Sequence, residues 1–319
     1  MSDRWVAVLS GGLSHERDVS LRSGRRLSAA LRTVGLTVEE WDADGELLGR
    51  LRRHRPDAVV LALHGGEGEN GAFQSVLELA GVPFVGTDSR WCRRAWDKPT
   101  AKTEMLRAGH STPDWVSLPH STFRTLGARA VLDAVVTRFG LPLVLKPDQG
   151  GSALGARLVT EAEELPAAMV GVLSYSDSVL IERYVEGVEV AVSVIEGSEG
   201  PTALPAVEIE PASGFYDYAS RYTAGLTEFH TPARLEPGQA RKVADLAVAA
   251  HQLLGLRDVS RTDAVVTADG DVHFLEVNVS PGLTETSLLP MSADAAGRSL
   301  GEVFAGLVER AVARGGRVL

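Results

Sequence analysis

Hydrophobic positions in the first hundred residues predict short buried strands that alternate with helices. Continuous apolar runs at residues 5–9 and 58–63 fit strands that are covered on both faces. Between them, residues 20–34 have helical spacing, and Gly35 follows as a stop signal. The same pattern places strands at 37–41 and 83–86 and a helix at 73–80. This alternation indicates an open parallel α/β unit, whose ligands gather at the carboxyl ends of its strands.

After about residue 95 the pattern changes to strands that are joined by glycine-rich turns. Helices are predicted from Asp97 and at 161–172, 237–254 and 300–313, with strands at 143–146, 156–159 and 179–185 and antiparallel strands after 188. We therefore expect three parts, residues 1–96, 97–186 and 187–319.

A predicted β-hairpin near the end of the chain is the most informative pattern. Two β-rich runs flank an Asp-Gly dipeptide at 269–270, which is a strong signal for a two-residue turn. That turn sets Asp263 opposite Glu276. It also sets Arg261 opposite Asn278, and the period of two puts all four side chains on one face.

Two carboxylates that face each other across a hairpin repel unless a cation lies between them. Carboxylate and amide oxygens without His or Cys suit Mg²⁺ rather than Zn²⁺, and Mg²⁺ often shares its ligands with nucleotide phosphates. The face therefore indicates a metal–nucleotide site with Arg261 beside it. The alternative is a solvated outer face with a cross-strand ion pair.

Lys146 ends a predicted strand directly before a glycine-rich segment, residues 147–155. Glycines let backbone N–H groups approach phosphate oxygens, and the lysine adds a positive charge. The order differs from a Walker loop, in which the lysine follows the loop and opens a helix. The alternative is an ordinary glycine-rich hairpin turn.

Four other segments carry candidate binding groups. Residues 14–24 offer either a helix N-terminus to an anion or Glu16 to an ammonium group. Residues 179–189 fit a hinge strand that holds an adenosine, or a plain linker. Residues 215–225 fit either a lid that excludes water or an exposed loop. Residues 281–290 offer N–H and hydroxyl groups to a carboxylate or an oxyanion.

Composition and charge narrow the class of protein. The chain has 319 residues, a mass of 33.9 kDa and a formal net charge of −10, and this charge argues against non-specific nucleic-acid binding. We find no signal peptide and no apolar run of membrane-spanning length, and the single cysteine, Cys92, fits a reducing compartment. We therefore expect a cytoplasmic protein that binds neither nucleic acid nor membrane.

Taken together, these segments resemble the ATP-grasp superfamily and, within it, the D-alanine–D-alanine ligase family. Arg-x-Asp at 261–263 with Glu-x-Asn at 276–278 is specific for the superfamily. Ser-His-Glu-Arg at 14–17, Leu-His-Gly at 63–65 and Phe-Tyr-Asp-Tyr at 215–218 narrow it to the ligases. The resemblance runs nearly end to end and implies an α/β protein with the ATP-grasp fold behind an open parallel, Rossmann-like (pre-ATP-grasp) N-terminal domain.

The resemblance implies an ATP-dependent ligase of peptidoglycan synthesis. ATP would phosphorylate one D-alanine, and the amine of a second would displace phosphate to give D-alanyl-D-alanine. Segment 1–96 would bind substrate, 97–186 would be the central lobe with the glycine-rich loop, and 187–319 would carry the metal site and lid. The resemblance also implies ATP as a substrate, two Mg²⁺ ions with Mn²⁺ as a substitute, and a homodimer.

The resemblance also assigns roles to residues. The catalytic group would be Glu16, Ser152, Tyr222, Arg261 and Gly282; the substrate-binding group His64, Ser287 and Leu288; the nucleotide-binding group Lys98, Lys146, Glu182, Tyr184, Glu189 and Arg221; and the metal ligands Asp263, Glu276 and Asn278. Arg261 and the N–H of Gly282 would stabilise the oxyanion, and Glu16 would bind the first ammonium group. Ser152 and Tyr222 would link lid, loop and Glu16, and Tyr222 favours a dipeptide product.

The chain departs from the family pattern at several positions. Ala153 stands where a second serine is usual, Asn70 where aspartate is, Arg221 where lysine is, Thr262 where an apolar β-branched residue is, and the acid–amide pair at 148–149 is unexpected beside phosphates. These departures leave the substrate pair open.

Three rival functions follow. A sister ligase of specialised metabolism would join or cyclise other D-amino acids. A non-catalytic nucleotide sensor would not need the full metal and oxyanion set. A dinucleotide-dependent oxidoreductase would need the Gly-x-Gly-x-x-Gly fingerprint, which the chain lacks after its first strand.

Overall fold

The computed structural model describes residues 4–316, whose strands form three sheets. The first sheet is parallel with the order β2-β1-β3-β4. Its strands are β1 (Trp5–Ser10), β2 (Thr37–Asp42), β3 (Ala58–Leu61) and β4 (Phe84–Val85). The covering helices are α1 (Arg17–Thr33) and α12 (Leu300–Arg314) on one face and α2 (Leu47–Arg53) and α3 (Ala72–Leu79) on the other. Burial on both faces explains the continuous apolar runs of the strands.

Helix α12 comes from the end of the chain, yet it completes the core of the first sheet. Phe304, Leu307 and Val308 are buried in one cluster with Val6 and Leu27. The helices α1 and α12 approach closely at Gly301, where an added Cβ would lie 2.4 Å from the carbonyl oxygen of Ala30.

The second sheet is antiparallel with the order β5-β8-β6-β7. Its strands are β5 (Trp115–Pro119), β6 (Leu143–Pro147), β7 (Arg157–Val159) and β8 (Ser178–Arg183), and its helices are α6 (His120–Leu126), α7 (Ala128–Phe139) and α8 (Leu165–Leu173). The predicted helix at 161–172 begins as a 3₁₀ turn, Ala162–Glu164, before α8. The sheet and its helices share one buried cluster, whose members all come from residues 123–181, and this cluster is separate from the other cores.

The third sheet has six strands with the order β12-β11-β9-β13-β14, and β10 pairs with β9. Its strands are β9 (Val188–Gly197), β10 (Gly200–Ala203), β11 (Val207–Pro211), β12 (Thr227–His230), β13 (Val259–Val266) and β14 (Val272–Asn278). The remaining helices are α4 (Ser89–Trp96), α5 (Lys98–Arg107), α9 (Tyr218–Tyr222), α10 (Pro237–Leu253) and α11 (Leu288–Ala295). Helices α4, α5 and α10 share a buried core with this sheet.

The turn between β13 and β14 differs from the two-residue turn that the sequence predicted. The Thr267 N–H donates to the carbonyl oxygen of Asp271 at 2.9 Å, so three residues, 268–270, form the loop. Gly270 has a φ of +79°, the left-handed conformation that ends such a loop and that glycine adopts at little cost.

The predicted register of the functional face nevertheless holds, because a second irregularity compensates for the longer turn. Val266 pairs with Val272, one step away from the predicted register. A bulge after Asp263 leaves Leu275 without a partner and restores Asp263 opposite Glu276. Arg261 and Asn278 also face each other as predicted.

Within residues 4–316, no helix combines the length and apolarity that crossing a bilayer requires. The predicted domain boundaries at residues 96 and 186 lie next to the α4–α5 junction and between β8 and β9. They stay a prediction.

Candidate active site

Two cavities open side by side where the three sheets converge. The large cavity, of about 450 Å³, lies between β6, the glycine-rich segment, the link from β8 to β9, and the segment after β11. The small cavity, of about 90 Å³, lies between the start of α1, the segment after β3 and the loop after β14. We call the residues that line both the shared wall: Lys98, Gly150, Gly151, Tyr216, Arg221 and Glu276.

Every site residue that the sequence predicted lines one of these cavities. The predicted residues that line the large cavity are Lys98, Lys146, Glu182, Tyr184, Glu189, Arg221, Asp263 and Glu276. The predicted residues that line the small cavity, besides those of the shared wall, are Glu16, His64, Ser152, Tyr222, Arg261, Asn278, Gly282, Ser287 and Leu288. Segments that lie far apart in the sequence therefore meet at one place.

Lys146 lies on the floor of the large cavity and is held by Glu182. The Glu182 carboxylate, whose side chain is only 3% exposed, lies 2.5 Å from Lys146 Nζ and 2.7 Å from Lys102 Nζ. Burial alone would raise the pKa of Glu182, but the two ammonium groups outweigh it and hold the pKa below its usual value. Burial lowers the pKa of Lys102 to about 8, against the attraction of Glu182.

The hairpin face brings each acid against a cation of the protein itself. Arg261 donates from Nε and from a terminal nitrogen to the two carboxylate oxygens of Asp263, at 2.7 and 2.8 Å. Glu276 lies 3.4 Å from Lys98 Nζ. Although burial would raise the pKa of Glu276, Lys98 and Lys146 lower it to about 2, so the group is ionised at neutral pH. The repulsion that we expected between Asp263 and Glu276 is thus offset within the chain.

This face still offers a ligand set that fits a hard cation. Carboxylates retain free lone pairs while they accept hydrogen bonds, so Asp263 and Glu276 can bind a metal as well. Asn278 Oδ1 accepts only the N–H of Ser280 among the described residues, at 2.8 Å. Because all three side chains offer oxygen, they suit Mg²⁺ or Mn²⁺ rather than Zn²⁺.

A chain of hydrogen bonds connects the lid segment to the N-terminal sheet. The Ser152 hydroxyl donates to Glu16, and the Tyr222 hydroxyl lies 2.6 Å from Ser152 Oγ. Burial raises the pKa of Tyr222 to about 12, so its phenol keeps the proton that it donates to Ser152. Ser152 has a φ of 51°, in the left-handed region, and its hydroxyl group reaches Glu16 from this backbone conformation.

Comparison with known proteins identifies the family. A family model described as "D-ala D-ala ligase C-terminus" matches residues 105–309. The D-alanine–D-alanine ligase of Anaeromyxobacter sp. (strain K) is 41% identical over 305 residues, which cover 96% of this chain and 94% of the relative. The chain belongs to the D-alanine–D-alanine ligase family.

Solved structures of the family agree with the fold. The D-alanine–D-alanine ligase of Bacillus anthracis complexed with ATP has a TM-score of 0.80 at 28% identity and covers 98% of both chains. The VanG D-Ala:D-Ser ligase of Enterococcus faecalis has a TM-score of 0.81 at 26% identity and covers 97% of this chain and 100% of that structure. The predicted α/β fold, with ATP-grasp lobes behind a parallel sheet, is confirmed.

In this member of the ligase family, His64 contacts protein groups on both sides of its ring. Nδ1 lies 3.1 Å from the Ser280 carbonyl oxygen, and Nε2 lies 2.8 Å from Ser23 Oγ. Burial lowers the pKa of His64 to about 4, so the ring is neutral, donates from Nδ1 and accepts at Nε2. Ser23 also accepts the N–H of Leu283 at 3.2 Å. His64, predicted as a substrate-binding residue, therefore braces the loop on both sides of Gly282.

The predicted residues after Gly282 offer backbone groups more than side chains. Ser287 Oγ accepts the N–H of Thr284 at 3.0 Å and does not cap α11. The Leu288 side chain is buried in a core cluster, which leaves its N–H at the first turn of the helix. A carboxylate would be bound there by N–H groups.

Two of the departures from the family pattern have a structural explanation. Asp148 accepts a hydrogen bond from the Ser176 hydroxyl at 2.7 Å, and Gln149 donates to Asp97 at 3.2 Å. Neither side chain lines either cavity, so the acid and the amide brace the glycine-rich loop from outside. Asn70 accepts the N–H of Ala72 at 3.0 Å, next to the start of α3. The structure gives no account of Ala153 or Thr262.

Sequence reasoning missed three buried groups of the site. Lys102 follows Lys98 by one helical turn, a spacing that could have revealed it. Glu69, 4% exposed, lines the small cavity and accepts the Gly65 N–H at 2.8 Å. Burial and then the nearby Glu16 raise the pKa of Glu69 to about 8. Ser23 lies inside α1 without a local signal.

Proposed function

We propose that the protein is an ATP-dependent ligase that joins two D-alanine molecules through an acyl phosphate to give D-alanyl-D-alanine, ADP and phosphate. The observation that carries this proposal is the shared wall, since Lys98, Arg221 and Glu276 reach both cavities. A phosphoryl group bound there is within reach of a nucleotide on one side and of a carboxylate on the other. The names of relatives such as the Anaeromyxobacter ligase support the same reaction.

The large cavity suits ATP by size and charge. Lys146 and Lys98 supply positive charge, and the buried Arg221 Nε has no hydrogen-bond partner among the described residues. Tyr184 and Glu189 lie farther along the same cavity, where the adenosine would bind. Burial raises the pKa of Glu189 to about 7, so this carboxyl can hold a proton when it meets a ribose hydroxyl. The Glu182 carboxylate, engaged by two lysines, would act on the phosphates by holding Lys146.

Asp263, Glu276 and Asn278 would hold Mg²⁺, which neutralises phosphate charge during phosphoryl transfer. Arg261 then has two tasks. It orients Asp263 through the bidentate pair, and because Arg261 lines the small cavity, its remaining N–H groups would stabilise the charge that develops on the tetrahedral oxyanion. The N–H of Gly282 would be the second donor.

The small cavity suits the two amino acids. Glu16 would bind the ammonium group of the first D-alanine, and the N–H groups around Ser287 and Leu288 would bind the carboxylate of the second. The hydrogen-bonded series Tyr222–Ser152–Glu16 would close the lid over the acyl phosphate and keep water from it.

A ligase with these substrates would supply peptidoglycan synthesis from the cytoplasm, where ATP is available. We also propose a homodimer, on the basis of the family resemblance. Light scattering should give twice the 33.9 kDa mass of the chain; a mass of one chain at micromolar concentration contradicts the dimer.

The experiment that tests the function is ADP release with D-alanine as the sole amino acid. The expected product is D-alanyl-D-alanine, identified by mass, with no turnover on L-alanine and none without Mg²⁺. D-Serine serves as a further test, because the VanG neighbour is named a D-Ala:D-Ser ligase. Faster turnover on another D-amino acid pair would favour the sister ligase of specialised metabolism, which the relatives' names do not support.

A further inference from the structure

Arg221 lies across the shared wall and stacks on an aromatic ring. Its guanidinium carbon is 4.2 Å from the centroid of the Tyr216 ring. Its Nε is buried and has no hydrogen-bond partner within the described part of the chain, and the residue lines both cavities. A guanidinium that stacks on a ring lies over the ring face, and its N–H donors point outward past the ring edge. The other guanidinium nitrogens of Arg221 also form no hydrogen bond or ion pair within the described part of the chain, so the N–H groups that reach the cavities are free for an anion that lies between them.

The Tyr216 ring is itself held in place. It is 7% exposed and belongs to a buried cluster with Ile209 and Leu288. On another side, Phe229 packs against it edge to face, with centroids 6.2 Å apart and ring planes at 81°. Because the ring sits in a packed core, the guanidinium that stacks on it has a fixed position rather than the freedom of a long side chain.

The chain has arginine where the family pattern has lysine, and the stacking explains why the exchange is more than a conserved charge. A lysine ammonium is a compact, strongly hydrated charge on a flexible stem, whereas a guanidinium is planar and stacks on aromatic rings. Tyr216 thus provides a surface that suits arginine in particular. The next residue, Tyr222, connects the same short helix to Ser152 and Glu16.

We propose that Tyr216 is a positioning residue, whose ring holds Arg221 across the shared wall so that the unpaired guanidinium edge meets the phosphoryl group that is transferred. The proposal rests on the proposed ligase function. Against the effect of burial, Arg221 lowers the pKa values of the nearby acids Glu189 and Glu276 without pairing with either. No ion pair between Arg221 and an acid occurs among the described residues, so the guanidinium is available to an anionic substrate.

The test compares five proteins by steady-state ADP release: the wild type, Tyr216→Phe, Tyr216→Leu, Arg221→Lys and the Tyr216→Leu/Arg221→Lys double variant. Leucine keeps apolar volume in the cluster but removes the ring face. We expect Tyr216→Leu to lower kcat/KM for ATP by roughly 5- to 20-fold, the range of a partly desolvated cation–π contact. KM for D-alanine should stay within about twofold. Tyr216→Phe, which retains the ring, should recover most of the loss.

The double variant distinguishes positioning from loss of packing. If the ring acts through the guanidinium, Tyr216→Leu should cost less than about threefold once Arg221 is lysine. Full additivity of the two losses overturns the proposal, and so does a Tyr216→Leu variant with wild-type kinetics for ATP. Val207→Ala is the matched control, because it thins the same cluster without removing either Tyr216 or the ring that packs against it; it should lower the melting temperature and leave KM for ATP unchanged.

Failure of the proposed function gives a different result. If the wild type releases no ADP with D-alanine, calorimetric titration of the same five proteins with Mg²⁺–ATP still measures the stacking. A weaker Kd for Tyr216→Leu, restored in Tyr216→Phe, then supports the positioning role independently of the amino acid. Equal Kd values in all five proteins exclude it.

Discussion

The two cavities neutralise their buried charges in opposite ways. In the large cavity an acid is surrounded by cations: Glu182 lies between Lys102 and Lys146. In the small cavity two carboxyl groups, Glu16 and Glu69, lie near each other, and burial followed by the charge of Glu16 raises the pKa of Glu69 to about 8. The first arrangement leaves net positive charge for an anion such as triphosphate. The second has carboxyl oxygens to offer an ammonium group, and its Glu69 holds a proton at neutral pH.

The strongest way to break this comparison is to remove the acid that both cavities share. Glu276→Ala should lower kcat by about 10³-fold, because phosphoryl transfer loses a metal ligand worth several kcal/mol. ADP release at saturating ATP and D-alanine measures it, and circular dichroism should show a folded protein. Glu285→Gln, at an exposed acid of the loop after β14, is the control and should keep its rate. Normal turnover in Glu276→Ala rules out the metal assignment.

A second prediction concerns the proton of the small cavity. In the folded protein the Glu69 carboxyl has a pKa of about 8, against an ordinary value of 4.5. Folding therefore binds a proton between these pH values, and the stabilisation that is complete below pH 4.5 is lost as pH rises through 8. The charged groups that face it are Glu16, which raises this pKa, and Arg261 and Lys98, which lower it.

Glu69→Gln keeps an acceptor for the Gly65 N–H and cannot ionise. Urea unfolding at pH 5 and pH 8.5 should show that the wild type loses on the order of 2 kcal/mol more than this variant. Glu67→Gln, at an exposed acid two residues earlier, should follow the wild type. Parallel pH dependence of wild type and Glu69→Gln would show that the carboxyl is ionised throughout this range.

The smallest effect is expected outside the large cavity. Asp148 bonds to Ser176 and does not line the cavity, so Asp148→Asn, which keeps an acceptor, should change KM for ATP by less than about twofold. Lys146→Met, within the cavity, provides the contrast. A large rise in affinity for ATP after Asp148→Asn would mean that the acid does act on the phosphates.

The same contrast explains what could be predicted from the sequence. Strand periodicity and the Asp-Gly dipeptide were sufficient to pair Asp263 with Glu276, although the predicted turn was wrong by one residue. That pairing survived because the bulge at Leu275 cancelled the error, and a bulge has no reliable sequence signal. In a hairpin the position of the turn determines which residues of the two strands face each other, so a local sequence pattern was sufficient to predict this part of the site.

The small cavity is lined by loops that follow strands of different sheets, and no rule of strand pairing relates their residues to one another. Glu69 becomes unusual only because Glu16 and the protein interior surround it, and neither is its neighbour in sequence. Ser23 looks like any small residue of an amphipathic helix until His64 and Leu283 are placed beside it. The site roles assigned by resemblance stay predictions until variants are measured.

The packing of α12 against the parallel sheet bears on how the chain folds as it is made. The ribosome synthesises β1 through β4 first. The apolar cluster that contains Val6, Val8 and Leu27 is completed only when Phe304 and Leu307 of α12 have been synthesised. Until α12 is made, that face of the sheet is covered by only one of its two helices, α1. The first sheet to leave the ribosome is thus the last to complete its core.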